Sequence, residues 1–112
     1  MNIKGEDYNV TYQDNVIAIS GKLSLMLEDY EKLESLFEKV VESEPTVLTL
    51  DIRNLEYLNS SGIKTMCVAL VLEADDIEGL EMKILCSEKY TWQKETVPTF
   101  EDLIDDIEII FE

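Results

Sequence analysis

Val47-Leu48-Thr49-Leu50-Asp51-Ile52, then the six residues Arg53 to Leu58, then Asn59-Ser60-Ser61-Gly62-Ile63, is the stretch on which the reading of this chain turns. Residues 46–52 form a β-branched, mostly apolar run, the composition of a central strand buried on both faces. Arg53 to Leu58 reads as a short connector, and 63–74 as a helix. Asn59 or Ser60 can cap that helix by accepting a bond from a backbone N–H two or three residues on. Gly62 lets a neighbouring backbone approach closely. The free N–H groups and dipole of a helix N-terminus also accommodate phosphate oxygens, so a serine hydroxyl exposed there is a candidate for phosphorylation. An isolated Ser-Ser-Gly is explained by capping alone; the surrounding pattern decides whether it means more.

Working outward, Tyr8, Val10 and Tyr12 alternate with polar residues at the period of a half-buried strand. Asp14-Asn15 is a turn signal, weaker than Asn-Gly, before a second strand at Val16-Ile17-Ala18-Ile19 that is closed by Ser20-Gly21. From Leu27 to Glu42 the period changes: Tyr30, Leu33, Phe37, Val40 and Val41 make one apolar helical face, with Glu28 and Asp29 at the end where the dipole favours acid. Pro45 ends the connection. The helix at 63–74 is apolar nearly all round, with Ile63, Met66, Cys67, Leu70 and Val71 on one face. Its remaining apolar residues suit either deeper burial or a partner surface beside the serine turn. Met82 to Cys86 is a further strand, and Thr91 to Pro98 a loop carrying Trp92. Phe100, Leu103, Ile104 and Ile107 suggest a third helix capped by Thr99, and Ile109-Ile110-Phe111 a last strand. The predicted order is β-β-α-β-α-β-α-β: one α/β domain over residues 1–112, with a mixed, mostly parallel sheet of about five strands and helices packed on it. An antiparallel first strand belongs at its edge.

At 112 residues the chain has room for one core. Nine basic against 25 acidic residues give a net charge of −16, a surface that repels phosphate backbones and anionic lipid. Nucleic acid and membranes are therefore poor partners, and a basic protein face is a better one. No run approaches the ~20 apolar residues of a membrane span, and Met1 to Asp7 lacks the pattern of a signal peptide. Cys67 and Cys86, in different predicted elements, read as buried free thiols, which places the chain in a reducing cytoplasm.

The strand ending at Asp51-Ile52, the spacer, and Asn59-Ser60-Ser61-Gly62-Ile63 resemble the signature of STAS domains, the anti-anti-sigma factors of bacterial partner-switching systems. That signature is an apolar strand ending in Asp, a short spacer, then Asp-Ser-Ser-Gly-Leu opening a helix. Gly21-Lys22-Leu23 is similar to the Gly-x-Leu before the family's first helix, and the element order matches over nearly the whole chain. The resemblance implies a phospho-regulated binding module, an anti-sigma factor antagonist rather than an enzyme. Ser60 matches the serine that the partner kinase phosphorylates. Asn59, Ser60, Ser61, Gly62 and the nearby Lys64 would form the partner-binding turn. Asn59 stands where the family usually has Asp, which removes one negative charge beside the phosphoacceptor; Tyr57 to Ser61 is similar to a biofilm-regulating branch with Asn there. The family's mechanism is docking of the unmodified protein on a GHKL-type serine kinase or anti-sigma factor. Phosphorylation adds about −1.5 to −2 charges and releases the partner, and a PP2C-type phosphatase resets the site. A constitutive STAS scaffold without phosphorylation is the alternative.

Enzymatic readings fit poorly. The chain has no histidine, which removes serine–histidine pairs and histidine metal sites. It also lacks Cys-x-x-Cys and a phosphate-binding glycine loop. Residues 73–79 resemble a calcium loop only superficially, because the first ligand position falls on Ala74 and the closing one on Leu85. Glu101, Asp102, Asp105, Asp106 and Glu108 read as the wet side of the last helix. No cofactor and no metal are expected. A small carboxylate enzyme or ligand-binding domain would need a defined pocket near Asp51.

Overall fold

A computed structural model describes residues 2–5, 7–23, 27–59, 79–98 and 107–112. The sheet begins with three strands that meander: β1 (Asn2–Lys4), β2 (Tyr8–Gln13) and β3 (Val16–Leu23). Both of their pairings are antiparallel. Asp14 and Asn15 join β2 to β3 with φ of 52° and 64°. Two left-handed residues are what a two-residue hairpin turn matched to the strand twist requires, and Asp and Asn accept that conformation most readily after glycine.

After β3 the chain crosses through helix α1 (Leu27–Glu42) and enters β4 (Val47–Leu58), which lies parallel to β3. In α1, Leu33, Leu36, Phe37 and Val40 are buried, at the three- and four-residue spacing of one helical face. Full burial of a side chain such as Phe37 contributes roughly 1.5–3 kcal/mol. Lys39 in the last turn suits the negative end of the dipole. Glu44 then turns left-handed with φ 47°, and the buried Pro45 prevents continuation.

Parallel strands β5 (Glu81–Cys86) and β6 (Ile107–Phe111) complete the order β1-β2-β3-β4-β5-β6. The antiparallel strands thus sit at one edge, as the sequence suggests. Six strands replace the expected five, because the three residues of β1 are too few to show a period. A short helix, α2 (Thr91–Thr96), lies between β5 and β6, where a loop was expected around Trp92. Ile107, expected in a helix, begins β6 instead. The expected helices at 63–74 and 99–106, together with Cys67, lie outside the described residues.

One apolar cluster runs through the molecule, joining Val10, Ile17, Ile19 and Leu23 to Leu33 and Phe37 of α1. Leu48, Leu50, Ile52, Ile84 and Cys86 of the parallel strands belong to it too. The Cα radius of gyration is 12.8 Å, close to the ~13 Å of a single domain of about 100 residues.

The largest departure from expectation is the length of β4. Residues 53–58, read as a connector, continue the strand. Between Ala18 and Ser20 of β3 the partner residue on β4 moves from Asp51 to Asn54, and between Gly21 and Lys22 it moves from Leu55 to Tyr57. Each step inserts one extra residue into β4, which makes two bulges. Burial accordingly alternates at Leu48, Leu50 and Ile52, then recurs every third residue at Leu55 and Leu58. The broken alternation is why this segment does not read as a strand.

Candidate functional site

The two sequence segments singled out for the resemblance meet at the carboxyl end of the parallel strands. Lys22 pairs with Tyr57 and Leu23 with Leu58, and the Asn59 N–H donates to the Leu23 carbonyl at 3.3 Å. Leu23 and Leu58 are both buried, whereas Lys22 and Tyr57 are exposed, Tyr57 by 48%. Gly21 has a structural reason here. Its φ is 89°, and a side chain would run into the Asp7 carbonyl, which accepts the Lys22 N–H at 2.8 Å. Asn59, half-buried, is therefore delivered to the end of the sheet by a strand anchored on β3. Ser60, Ser61, Gly62 and Lys64 lie outside the described residues.

β4 pairs with β5 only over Val47 to Asp51. Beyond that point the two strands part, and the β4 carbonyls need other donors. Gln93 of α2 supplies them: its Nε2 donates to the carbonyls of Ile52 at 2.8 Å and Leu55 at 3.0 Å. Its Oε1 accepts the Ser87 N–H at 2.8 Å. Gln93 is fully buried, a position a glutamine holds only when its amide is satisfied in this way. One residue earlier, the Trp92 indole N–H donates to the Glu56 carbonyl at 3.0 Å. Neither role was visible in the sequence, since a lone glutamine in an apparent loop has no signature.

Asp51, expected at the end of a strand but lying within β4, faces Arg53 in a two-pronged pair at 3.0 and 2.9 Å and also accepts the Arg53 backbone N–H. The Arg53 Nη1 continues to Glu112 Oε2 at 2.7 Å. The Arg53 guanidinium holds the Asp51 carboxyl below its usual range, against the opposing effect of partial burial. Cys86 is free and buried; burial, reinforced by the Asp51 charge, pushes its thiol up to about 12. It stays protonated near neutral pH and is a poor nucleophile. No group of three acidic or cysteine side chains that could hold a metal occurs among the described residues.

No protein-family model matches the chain, and no curated protein does. Solved structures do match. One is an anti-sigma factor antagonist from Mycobacterium paratuberculosis, with TM-score 0.61 and 18% identity, covering 88% of this chain and 81% of that one. Another is SiaC, in the crystal structure of the diguanylate cyclase SiaD with its activator SiaC from Pseudomonas aeruginosa. There the TM-score is 0.72 and the identity 18%, covering 100% of this chain and 99% of that one. The chain has the STAS fold.

Within the STAS fold the geometry gives Asp51 a structural task, since its carboxylate is taken up by Arg53 and lies in the sheet, eight positions before Asn59. A groove lined by described residues lies between β1 and α1, and Asp51 is not among its walls. Among the described residues, no helix is long and apolar enough to cross a membrane.

Proposed function

We propose that this chain is a non-enzymatic, phospho-regulated protein-binding module of a bacterial partner-switching pathway, with Ser60 as the switch. The observation that carries the reading is the end of β4: on a STAS fold, a bulged strand fastened to β3 brings Asn59 to the carboxyl edge of the sheet, directly before Ser60. The unphosphorylated form docks through Asn59, Ser60, Ser61, Gly62 and Lys64 on a GHKL-type serine kinase or anti-sigma factor. Tyr57 and Lys22, exposed beside Asn59, extend that docking face. A phosphate on Ser60 adds negative charge to a chain already at −16, so a partner held at this face is released by charge and steric misfit. A PP2C-type phosphatase restores the site, and the system operates in the cytoplasm, away from nucleic acid and membranes.

The similarity to SiaC supports a client that is itself an enzyme, because that structure holds SiaC as the activator of a diguanylate cyclase. In this reading the module passes between a kinase and an enzyme whose activity it sets.

The test is Ser60→Ala and Ser60→Asp in co-purification with GHKL-type serine kinases from its own cells, alongside mass spectrometry of the protein from those cells. Ser60→Ala is expected to bind and Ser60→Asp to lose binding with its fold intact, and a phosphopeptide covering Ser60 is expected. Equal binding by both variants, or a stable complex with Ser60 never phosphorylated, replaces the switch with a constitutive STAS subunit.

A further inference from the structure

The chain carries only nine basic residues, yet three of them line one groove. Its described walls are Asn2, Ile3 and Lys4 of β1, and Glu31, Lys32, Ser35, Leu36 and Lys39 of α1, enclosing about 700 Å³. Ile3 and Leu36 give it an apolar floor; Lys4, Lys32 and Lys39 stand exposed on its rim. Two basic groups elsewhere are taken up by acids of the chain, Arg53 by Asp51 and Glu112 and Lys83 by Glu108. No ion pair among the described residues engages Lys4, Lys32 or Lys39. The groove has an excess of two positive charges, because Glu31 is the one acid among its described lining residues.

We propose that this groove docks an acidic, extended peptide segment of a partner protein, which adds as a strand to the outer edge of β1. β1 is the last strand of the sheet on this side, and an edge strand offers unpaired N–H and C=O groups to an incoming chain. Side chains of the added strand on the α1 face then lie beside Ile3, Leu36, Lys32 and Lys39, and those on the opposite face beside Lys4, which selects a peptide carrying both apolar and acidic residues. The overall charge of −16 does not forbid this. At physiological salt, charges farther than about 8 Å are largely screened, so the groove feels mainly the charges close to it, and its own lining holds three lysines and one glutamate. Three strand spacings separate β1 from β4, roughly 14 Å. The groove is thus distinct from the Asn59 end of β4, and its occupant is independent of the Ser60 switch.

The test uses the full chain and a short fluorescein-labelled peptide alternating Glu and Val, read by fluorescence polarisation. Three comparison probes are its Lys–Val counterpart, a version N-methylated at alternate backbone amides, and the parent peptide at raised salt. Parent binding that weakens with salt is expected, with little binding of the Lys–Val or N-methylated peptides. Lys32→Glu/Lys39→Glu is expected to weaken parent binding about tenfold or more. Both lysines are exposed, so the thermal midpoint serves as the check that this variant folds. Absence of parent binding overturns the proposal, as does equal binding of the Lys–Val peptide. Equal binding of the N-methylated peptide also overturns it, because attraction without strand addition would then suffice.

Discussion

The two halves of β4 are held in different ways. Thr49 to Asp51 is paired on both sides, to β3 and β5, and Val47 and Leu48 are paired to β5, with Leu48 and Leu50 fully buried. Beyond Ile52 the strand is paired to β3 alone, through a ladder with two bulges. On its other side stand two side chains of α2, Gln93 and Trp92, in place of a strand. The first half is stabilised by apolar burial, which is non-directional and tolerates small shifts. The second also buries Ile52, Leu55 and Leu58, but on the side away from β3 it depends on a few directional bonds from a six-residue helix. The end that carries Asn59 is therefore held by the β3 ladder on one side and by side chains on the other.

Breaking the first half should have the largest effect. Leu50→Ala is expected to cost about 3 kcal/mol in denaturant unfolding, as truncation of a fully buried leucine does, and to destabilise the whole domain. Gln93→Leu tests the second half: it leaves the Ile52 and Leu55 carbonyls and the Ser87 N–H without their partner, at an expected cost of about 2 kcal/mol. The sharper readout is local. Amide exchange should accelerate at 54–58 and stay slow at 48–51; a uniform change along β4 would remove the distinction between the halves. The smallest effect concerns the junction at Asp51. Its folded pKa lies below the ordinary 3.8, so the unfolded chain takes up the proton first as pH falls. This contribution is present in full well above pH 3.8 and is lost as pH drops through the depressed folded value. Arg53→Met should flatten that part of the acid limb in pH-dependent unfolding, and an unchanged limb would show that the pair is not felt.

Much of this fold is legible in the sequence. The bounds of α1 follow from apolar spacing and Pro45, and the β2–β3 hairpin from alternation around Asp14-Asn15. The apolar strand at 47–52 was visible from its composition. Periodicity failed at β1, too short to show one, and at residues 53–58, where two bulges changed the period from two to three. It failed again at Thr91–Thr96, a helix of six residues, too short for an apolar stripe. In the candidate site, Asn59 and Asp51 could be named from the sequence, but not what Asp51 bonds to or why Gly21 is needed.

By itself, then, the sequence determined the α/β class, the main strand and helix segments, and the place of the Asn59 turn. These follow from local propensity and from the pattern of apolar residues along the chain. Only the tertiary structure decided that Gly21-Lys22-Leu23 lies against Tyr57-Leu58-Asn59, that Gln93 stands in for a missing strand, and that Lys4 shares a groove with Lys32 and Lys39. Each of those facts is a meeting of residues distant in the chain, and such meetings depend on register, bulges and crossover geometry that no single segment encodes.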